Sequence, residues 1–126
     1  MNCTIRSLYL CVKDMDRAIR FYESFLEQPV TGRDELYSVF DVNGFRLGLF
    51  AYEKAGEDHT YGSNCLPSLE VDCLDILKKK LEGLPIVFEC KRIGNNWVSE
   101  FEDSEGNHIE LTAPVKEGDK LSLIHI

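Results

Sequence analysis

The chain has 126 residues and a formal charge of −8, with 44% hydrophobic and 29% charged residues. This length suits one domain with its own core, and the acidic charge argues against nucleic acid and anionic membranes as partners. No apolar stretch approaches the roughly 20 residues that cross a bilayer, and the N-terminus does not resemble a signal peptide. The five cysteines lack C-x-x-C spacing. They indicate free thiols, so we expect a cytoplasmic protein.

Sequence patterns divide the first half into a strand, a helix and a hairpin. Asp14 is a predicted helix N-cap, because the residues after it are apolar at helical spacing. Asn43-Gly44 separates two apolar runs and is typical of a two-residue hairpin turn. The predicted elements are a strand at Ile5–Val12, a helix at Met15–Leu26, a short strand near Pro29–Arg33, and strands at Leu36–Val42 and Phe45–Tyr52.

The second half repeats this order after a predicted linker, Glu53–Cys65, which is aperiodic and contains glycine. Asp72 is a predicted N-cap, and Asp75 takes the acidic position of a capping box. Three lysines suit the last turn of the helix that follows. The predicted elements are a strand at Leu66–Val71, a helix through Leu74, Leu77 and Leu81, and strands at Ile86–Ile93, Trp97–Phe101 and His108–Ala113.

Two pairs of segments can be aligned within the chain. Leu10–Asp16 matches Leu69–Asp75 at a constant offset of 59, and Gly44–Leu49 corresponds to Gly106–Leu111. This duplication predicts an α+β fold of two tandem βαβββ modules, at about 4–53 and 66–114, whose curved sheets enclose a cleft. Residues 1–114 would form a single domain. The tail, 115–126, is predicted to be non-functional, and its last six residues are either an assembly artefact or a short strand.

The closing stretch of the domain combines a turn with a half-buried strand. Gly106 and Asn107 are predicted to take the positive φ angles of a tight turn. Alternation in the following strand places His108, Glu110 and Thr112 on the face opposite its apolar residues. Glu110 would therefore lie in mid-strand, facing away from the core.

These motifs resemble the vicinal oxygen chelate superfamily, which includes glyoxalase I, bleomycin-resistance proteins, fosfomycin-resistance enzymes and extradiol dioxygenases. The resemblance covers about residues 4–114. It is carried by Val12-x-Asp14, Phe21-Tyr22, Val71-Asp72 and Asp103-x-x-Gly106-Asn107-x-Ile109-Glu110-Leu111. It implies the duplicated fold described above.

The resemblance also implies where a metal would bind. In metal-using members four strand positions hold a divalent ion, and by register they fall here at Ser7, Gly48, Leu66 and Glu110. Only Glu110 has a suitable side chain, whereas a catalytic divalent site usually has about three protein ligands. The family's standard metal site is therefore expected to be absent.

Glu110 then has three interpretations: a structural carboxylate held by hydrogen bonds, an anchor for a cationic or hydroxylated ligand, or a general base with a raised pKa. Trp97 and Phe101 share one face of a predicted strand and are candidates to line the cleft, as aromatic side chains suit a flat ligand. The candidate ligand-binding residues are Glu110, Trp97, Phe101, Ser7 and His108.

Two functions remain open at this stage. The first is a metal-independent protein of the bleomycin-resistance type, which binds a small aromatic or cationic molecule in the cleft without a cofactor. The alternative is a metal-dependent glyoxalase- or dioxygenase-like lyase, isomerase or oxidoreductase with an atypical site, in which His108, His59 or residues from a second chain join Glu110. By analogy with the family, we expect a homodimer in either case.

Overall fold

A computed structural model of the chain describes residues 5–57, 61–62 and 65–121. The described residues form two compact units. Unit 1 contains those of Met1–Asn64 together with Ser104–Asn107, and unit 2 contains those of Cys65–Asp103 and His108–Ile126. Within the described ranges, no helix is long and apolar enough to cross a bilayer.

Unit 1 pairs a three-stranded sheet with one helix. The first strand runs parallel to the third, and the second runs antiparallel to the third, so the third strand is central. The elements are β1 (Ser7–Cys11), α1 (Met15–Leu26), β2 (Tyr37–Val42) and β3 (Phe45–Phe50), followed by a short 3₁₀ helix at Tyr52–Ala55.

Local sequence signals explain most of unit 1. The Asp14 carboxylate accepts a hydrogen bond from the Arg17 backbone N–H at 3.0 Å, which confirms the predicted N-cap of α1. Asn43 and Gly44 have φ angles of 51° and 89°, which confirms the predicted hairpin turn. The predicted strand near Pro29–Arg33 is only an isolated bridge between Gly32 and Val39. The backbone N–H groups of Val30 and Asp41, which would continue the ladder, donate instead to the side chains of Glu23 and Thr31.

Unit 2 contains a complete β-α-β-β-β series, with strand order β4-β7-β6-β5. The first strand is again parallel to the last, as in unit 1. The predicted cap at Asp72 is wrong, because Cys73 holds the N-cap position and makes no side-chain capping bond. The elements are β4 (Ser68–Glu70), α2 (Leu74–Leu81), β5 (Ile86–Ile93), β6 (Asn96–Glu102) and β7 (His108–Pro114).

In each unit one face of the sheet packs against the helix. Tyr22 of α1 contacts Phe40 of β2 ring to ring at 6.3 Å, and both are fully buried. α2 lies against β7, whose Ile109 and Leu111 are also fully buried. The predicted α+β fold is confirmed, and the other sheet faces carry the candidate residues Ser7, His108 and Glu110.

The described part of the tail packs on unit 2. The Val115 N–H donates to the Asn95 carbonyl at 2.9 Å, which continues the strand pairing past Pro114. Trp97 Nε1 donates to an Asp119 carboxylate oxygen at 3.0 Å. Residues 122–126, most of the predicted artefact, lie outside the described residues.

Candidate functional site

The open face of the first sheet is dominated by two tyrosines around one glycine. Tyr9 and Val39 pair with Gly48 from either side, and Tyr37 lies two residues before Val39, so all four share the face opposite α1. The rings of Tyr9 and Tyr37 meet edge to face, with centroids 4.8 Å apart and planes at 73°. We call this surface, defined by Tyr9, Tyr37 and Gly48, the tyrosine face.

Gly48 has no room for a side chain. A Cβ atom there would lie 2.6 Å from Cε1 and 2.7 Å from Oη of Tyr37, and 2.7 Å from Cδ1 of Tyr9. Real Cβ atoms essentially never show contacts this short, so any larger residue would displace a ring. The two rings therefore occupy the space that a ligating side chain at this position would need.

The hydroxyl of Tyr37 is buried and, among the described residues, has no hydrogen-bond partner. Burial first, and then the neighbouring Tyr9 hydroxyl, raises the pKa of Tyr37 to about 12. The nearby Arg46 guanidinium opposes this rise. Tyr37 consequently keeps its proton at neutral pH and remains a hydrogen-bond donor.

Glu110 holds the equivalent position in unit 2. It lies between Ser68 of β4 and Glu100 of β6, and the Ser68 hydroxyl donates to its carboxylate at 2.6 Å. His108 lies two residues before Glu110 on the same face. Its Nδ1 atom is 3.0 Å from a carboxylate oxygen of Glu100. We call this surface, defined by Ser68, Glu100, His108 and Glu110, the glutamate face.

The four positions predicted from the resemblance do not supply the donors of a metal site. Ser7 offers a hydroxyl, Gly48 offers no side chain, and Leu66, which is 45% exposed, precedes β4 and is apolar. Only Glu110 offers a carboxylate. Across the part of the chain that the structure describes, no group of three or more His, Cys, Asp or Glu side chains is placed to hold a metal ion. His59, the other sequence candidate, lies outside the described residues.

Trp97 and Phe101 are not grouped with Glu110. Trp97 pairs with Ala113 and Phe101 with Ile109, which places both rings on the helix side of the sheet. Both are buried, Phe101 completely. Neither ring can contact a molecule that lies on the glutamate face. The alternation of residues along β6 indicates this placement. Val98 and Glu100 lie between the buried residues of the strand and therefore point to the other side of the sheet.

The turn before β7 makes hydrogen bonds with the start of α1 in unit 1. Glu105, whose side chain is fully buried, accepts hydrogen bonds from the backbone N–H groups of Lys13 at 2.8 Å and Asp14 at 3.0 Å. Its other carboxylate oxygen accepts from Arg17 Nε at 2.8 Å and from the Ser104 hydroxyl at 3.0 Å. Burial acts to raise the pKa of Glu105, but these hydrogen bonds, led by that from Arg17, hold it below its ordinary value. The buried carboxylate thus fixes the start of α1.

Asn107 completes this attachment. Its side-chain Nδ2 donates to the Cys11 carbonyl at 2.9 Å, at the end of β1. Gly106 has the predicted positive φ, at 85°, but Asn107 does not have one, so that prediction is wrong. The hydrogen bond of its buried side-chain amide therefore holds Asn107 in place, and its backbone is not left-handed.

Unit 1 also has an open cavity of about 670 Å³ beside the start of α1. Its lining is almost entirely charged, with Lys13, Arg33 and Lys54 alternating with acidic residues such as Asp16 and Asp34. Arg33 is already paired with Asp16. This charged lining differs from the mostly apolar lining of typical small-molecule sites.

The sequence patterns singled out neither Tyr37 nor Tyr9 as a candidate site residue. The signal was available, since Tyr9 follows Ser7 by two residues and so shares its face. Gly48 also aligned with Glu110 through the repeat. What could not be foreseen was the approach of both rings to Gly48, which depends on strand register.

A comparison with protein-family models identifies the family. The model of the Glyoxalase/Bleomycin resistance protein/Dioxygenase superfamily matches residues 4–111. Among curated protein sequences, none matches the chain significantly.

Solved structures share the fold at low sequence identity. They include a glyoxalase/bleomycin resistance protein/dioxygenase from Nocardioides, at 20% identity and a TM-score of 0.71, with 98% of this chain and 91% of that chain covered. A lactoylglutathione lyase from Agrobacterium tumefaciens has 18% identity and a TM-score of 0.71, with 89% and 94% covered. A virulence protein from Salmonella typhimurium has 22% identity and a TM-score of 0.69, with 91% and 99% covered.

At these identities the structural likeness establishes the fold alone. The family match, which spans most of the chain, confirms the resemblance inferred from its motifs. The chain therefore belongs to the glyoxalase/bleomycin resistance protein/dioxygenase superfamily, the vicinal oxygen chelate superfamily of the sequence analysis.

Proposed function

We propose that the protein is a metal-independent member of this family, similar to its bleomycin-resistance branch, that binds a small flat molecule on the tyrosine face. One observation carries the proposal. The rings of Tyr9 and Tyr37 fill the space above Gly48. At this position the family resemblance implies a ligating side chain in metal-using members. An aromatic surface thus stands at this position instead of a metal ligand.

The tyrosine face has the properties of a contact surface for a planar ligand. Tyr9 is 58% exposed although it lies in mid-strand, and Phe50 on the same face is only half-buried. Aromatic rings offer a large contact area at low cost in conformational entropy, and they stack or meet edge to face with other rings. Ser7, a predicted ligand-binding residue, lies at the start of the same face.

The alternative, a metal-dependent lyase, isomerase or oxidoreductase, finds less support in the side chains. Glu110 already accepts a hydrogen bond from Ser68, and the imidazole of His108 lies against Glu100. These contacts favour a structural or ligand-anchoring role for Glu110 over a role as metal ligand or general base. The lactoylglutathione lyase named above shares only the fold with this chain.

Elemental analysis tests the proposal. The protein is purified without added metal, and its thermal unfolding is compared with and without a chelator. The proposal predicts substoichiometric metal and an unchanged Tm. Stoichiometric Zn, Ni, Mn or Fe, lost together with thermal stability in the chelator, would contradict it. Glu110→Ala serves as a matched variant, since it should leave the metal content of the purified protein unchanged.

We also propose, on analogy with the family alone, that the protein is a homodimer. Light scattering coupled to size-exclusion chromatography measures the mass directly. A mass equal to that of one chain at micromolar concentration would overturn this assignment.

A further inference from the structure

We infer that the ligand carries a hydrogen-bond acceptor, such as a carboxylate, on an aromatic ring, and that the Tyr37 hydroxyl donates to this group. The inference rests on the function proposed above and specifies its ligand class. It assigns to Tyr37 a role that goes beyond the contact surface of its ring.

The starting observation is the hydroxyl of Tyr37 itself. Its oxygen is buried and, within the described ranges, unpartnered, whereas buried polar groups in native proteins nearly always have hydrogen bonds. Burying such a group without a partner is unfavourable, so its presence calls for an explanation. A ligand group that completes the missing hydrogen bond provides one.

The Tyr37 hydroxyl can donate and accept, and a ligand acceptor satisfies its proton. Because burial raises the pKa of Tyr37 to about 12, its oxygen carries a proton at neutral pH. A protonated phenol gives its strongest hydrogen bonds to ionised acceptors such as carboxylates. An ammonium group offers only donors, and it would leave the phenol proton without an acceptor.

Local charge also favours an acceptor. Arg46 lies two residues before Gly48 on the same face of β3, and its positive charge acts on Tyr37. The chain carries a formal charge of −8 and would slow the approach of an anion. Salt screens this long-range repulsion beyond about 8 Å at physiological ionic strength. A direct contact of the ligand with Tyr37 and Arg46 is not screened in this way.

Tyr9 is the neighbour of Tyr37 that would move to admit a ligand. The two rings meet at 4.8 Å, and Tyr9 is the more exposed member of the pair. Exposed side chains change rotamer within nanoseconds, so the Tyr9 ring can turn aside without any change in the sheet. In its new position it can stack on the aromatic ring of the ligand.

Three fluorinated probes that differ only in their polar group test the inference: 4-fluorobenzoate, 4-fluorobenzyl alcohol and 4-fluorobenzylamine. Fluorine NMR titrations in a chelator give their dissociation constants for the parent protein and two variants. Tyr37→Phe removes the proposed donor. Tyr61→Phe is the matched control, because Tyr61 also has a buried, unpartnered hydroxyl but packs edge to face on Tyr52 at 5.4 Å.

The inference predicts that 4-fluorobenzoate binds tightest to the parent and to Tyr61→Phe. Tyr37→Phe should weaken its binding about tenfold and leave binding of the amine nearly unchanged. Free Tyr37→Phe should be at least as stable as the parent, because the hydroxyl lost has no partner. A purely structural hydroxyl would instead lower the Tm without changing the preference among the probes.

Two results overturn the inference while the proposed function stands: tightest binding of the amine or the alcohol, or undiminished binding of 4-fluorobenzoate to Tyr37→Phe. Absence of binding by all three probes at millimolar concentration overturns both the inference and the assignment of the tyrosine face as a binding surface.

Discussion

Tyr9 lies beside Gly48 across the parallel strands β1 and β3, in the same register relationship that joins Ser68 to Glu110 in the second unit. In unit 2 the Ser68 hydroxyl, on the first strand, donates a hydrogen bond to the Glu110 carboxylate. In unit 1 the corresponding residue places an aromatic ring over a glycine. The two units thus keep one backbone arrangement and differ in the chemistry at this position.

Gly48→Ala should destabilise the protein by about 1–3 kcal/mol, because the new methyl group overlaps both rings of the tyrosine face. Chemical denaturation measures the change. Gly32→Ala is the control: nothing lies within 4 Å of its Cβ position and its φ is not positive, so it should be neutral or slightly stabilising.

A double-mutant cycle identifies the cause of the Gly48→Ala effect. A Tyr37→Ala background removes two of the three closest atoms and leaves Cδ1 of Tyr9, so the cost of Gly48→Ala should fall by at least half. An equal cost in both backgrounds would show that the Tyr37 ring does not set the size limit at Gly48.

Glu105→Ala should lower the free energy of unfolding by about 2–4 kcal/mol. The substitution removes a buried carboxylate that accepts hydrogen bonds from two backbone N–H groups and Arg17 at the start of α1. Glu35→Ala, at an exposed position outside any helix or strand, should change stability by no more than about 0.5 kcal/mol. Equal effects of the two variants would refute the role of Glu105.

The same carboxylate predicts an acid-sensitive component of stability. The pKa of Glu105 is lowered in the folded protein. As the pH falls, Glu105 therefore takes up its proton first in the unfolded chain, near the ordinary glutamate pKa of about 4.3. Its contribution is fully present above that pH and is lost as the pH falls through the folded pKa. The stability difference between the parent and Glu105→Gln should therefore shrink on acidification from neutral pH.

Asp119, whose pKa is also lowered, contributes to the pH dependence of stability in both the parent and Glu105→Gln. The stability difference between the two proteins therefore reports on Glu105. Denaturation midpoints measured across this pH range give the curve. A stability difference that stays constant down to about pH 3 would contradict the assignment.

Trp97 should report on the tail rather than on the glutamate face. Its indole N–H donates to Asp119, and its ring lies on the opposite side of the sheet from Glu110. Asp119→Ala is expected to shift the Trp97 emission maximum, whereas Glu110→Ala should leave it in place. A shift with Glu110→Ala and none with Asp119→Ala would reverse the assignment of faces.

The elements that could be predicted from sequence are those fixed by neighbouring residues. The Asp14 cap, the length of α1 and the Asn43-Gly44 turn depend on contacts within a few positions, and all three agree with the structure. The predicted repeat between the two halves agrees with the structure, in which each first strand runs beside the last strand of its unit.

The features that escaped prediction depend on contacts between distant segments. Glu105 and Arg17 are 88 positions apart, and no local pattern indicates that a turn beside β7 caps α1. Alignment of the repeat matched Gly48 with Glu110, yet the crowding at Gly48 depends on the rotamers of Tyr9 and Tyr37. Trp97 was assigned to the cleft on its residue type, although the alternation of β6 pointed to the core.

The most direct test of the binding surface is a map of amide chemical-shift changes when 4-fluorobenzoate is added to the protein in a chelator. We expect the largest changes at β1 and β3 around Tyr9 and Gly48, without any divalent metal. Changes centred on Glu110, or changes that appear only after a divalent metal is restored, would contradict the proposal that this protein binds its ligand on the tyrosine face without a metal.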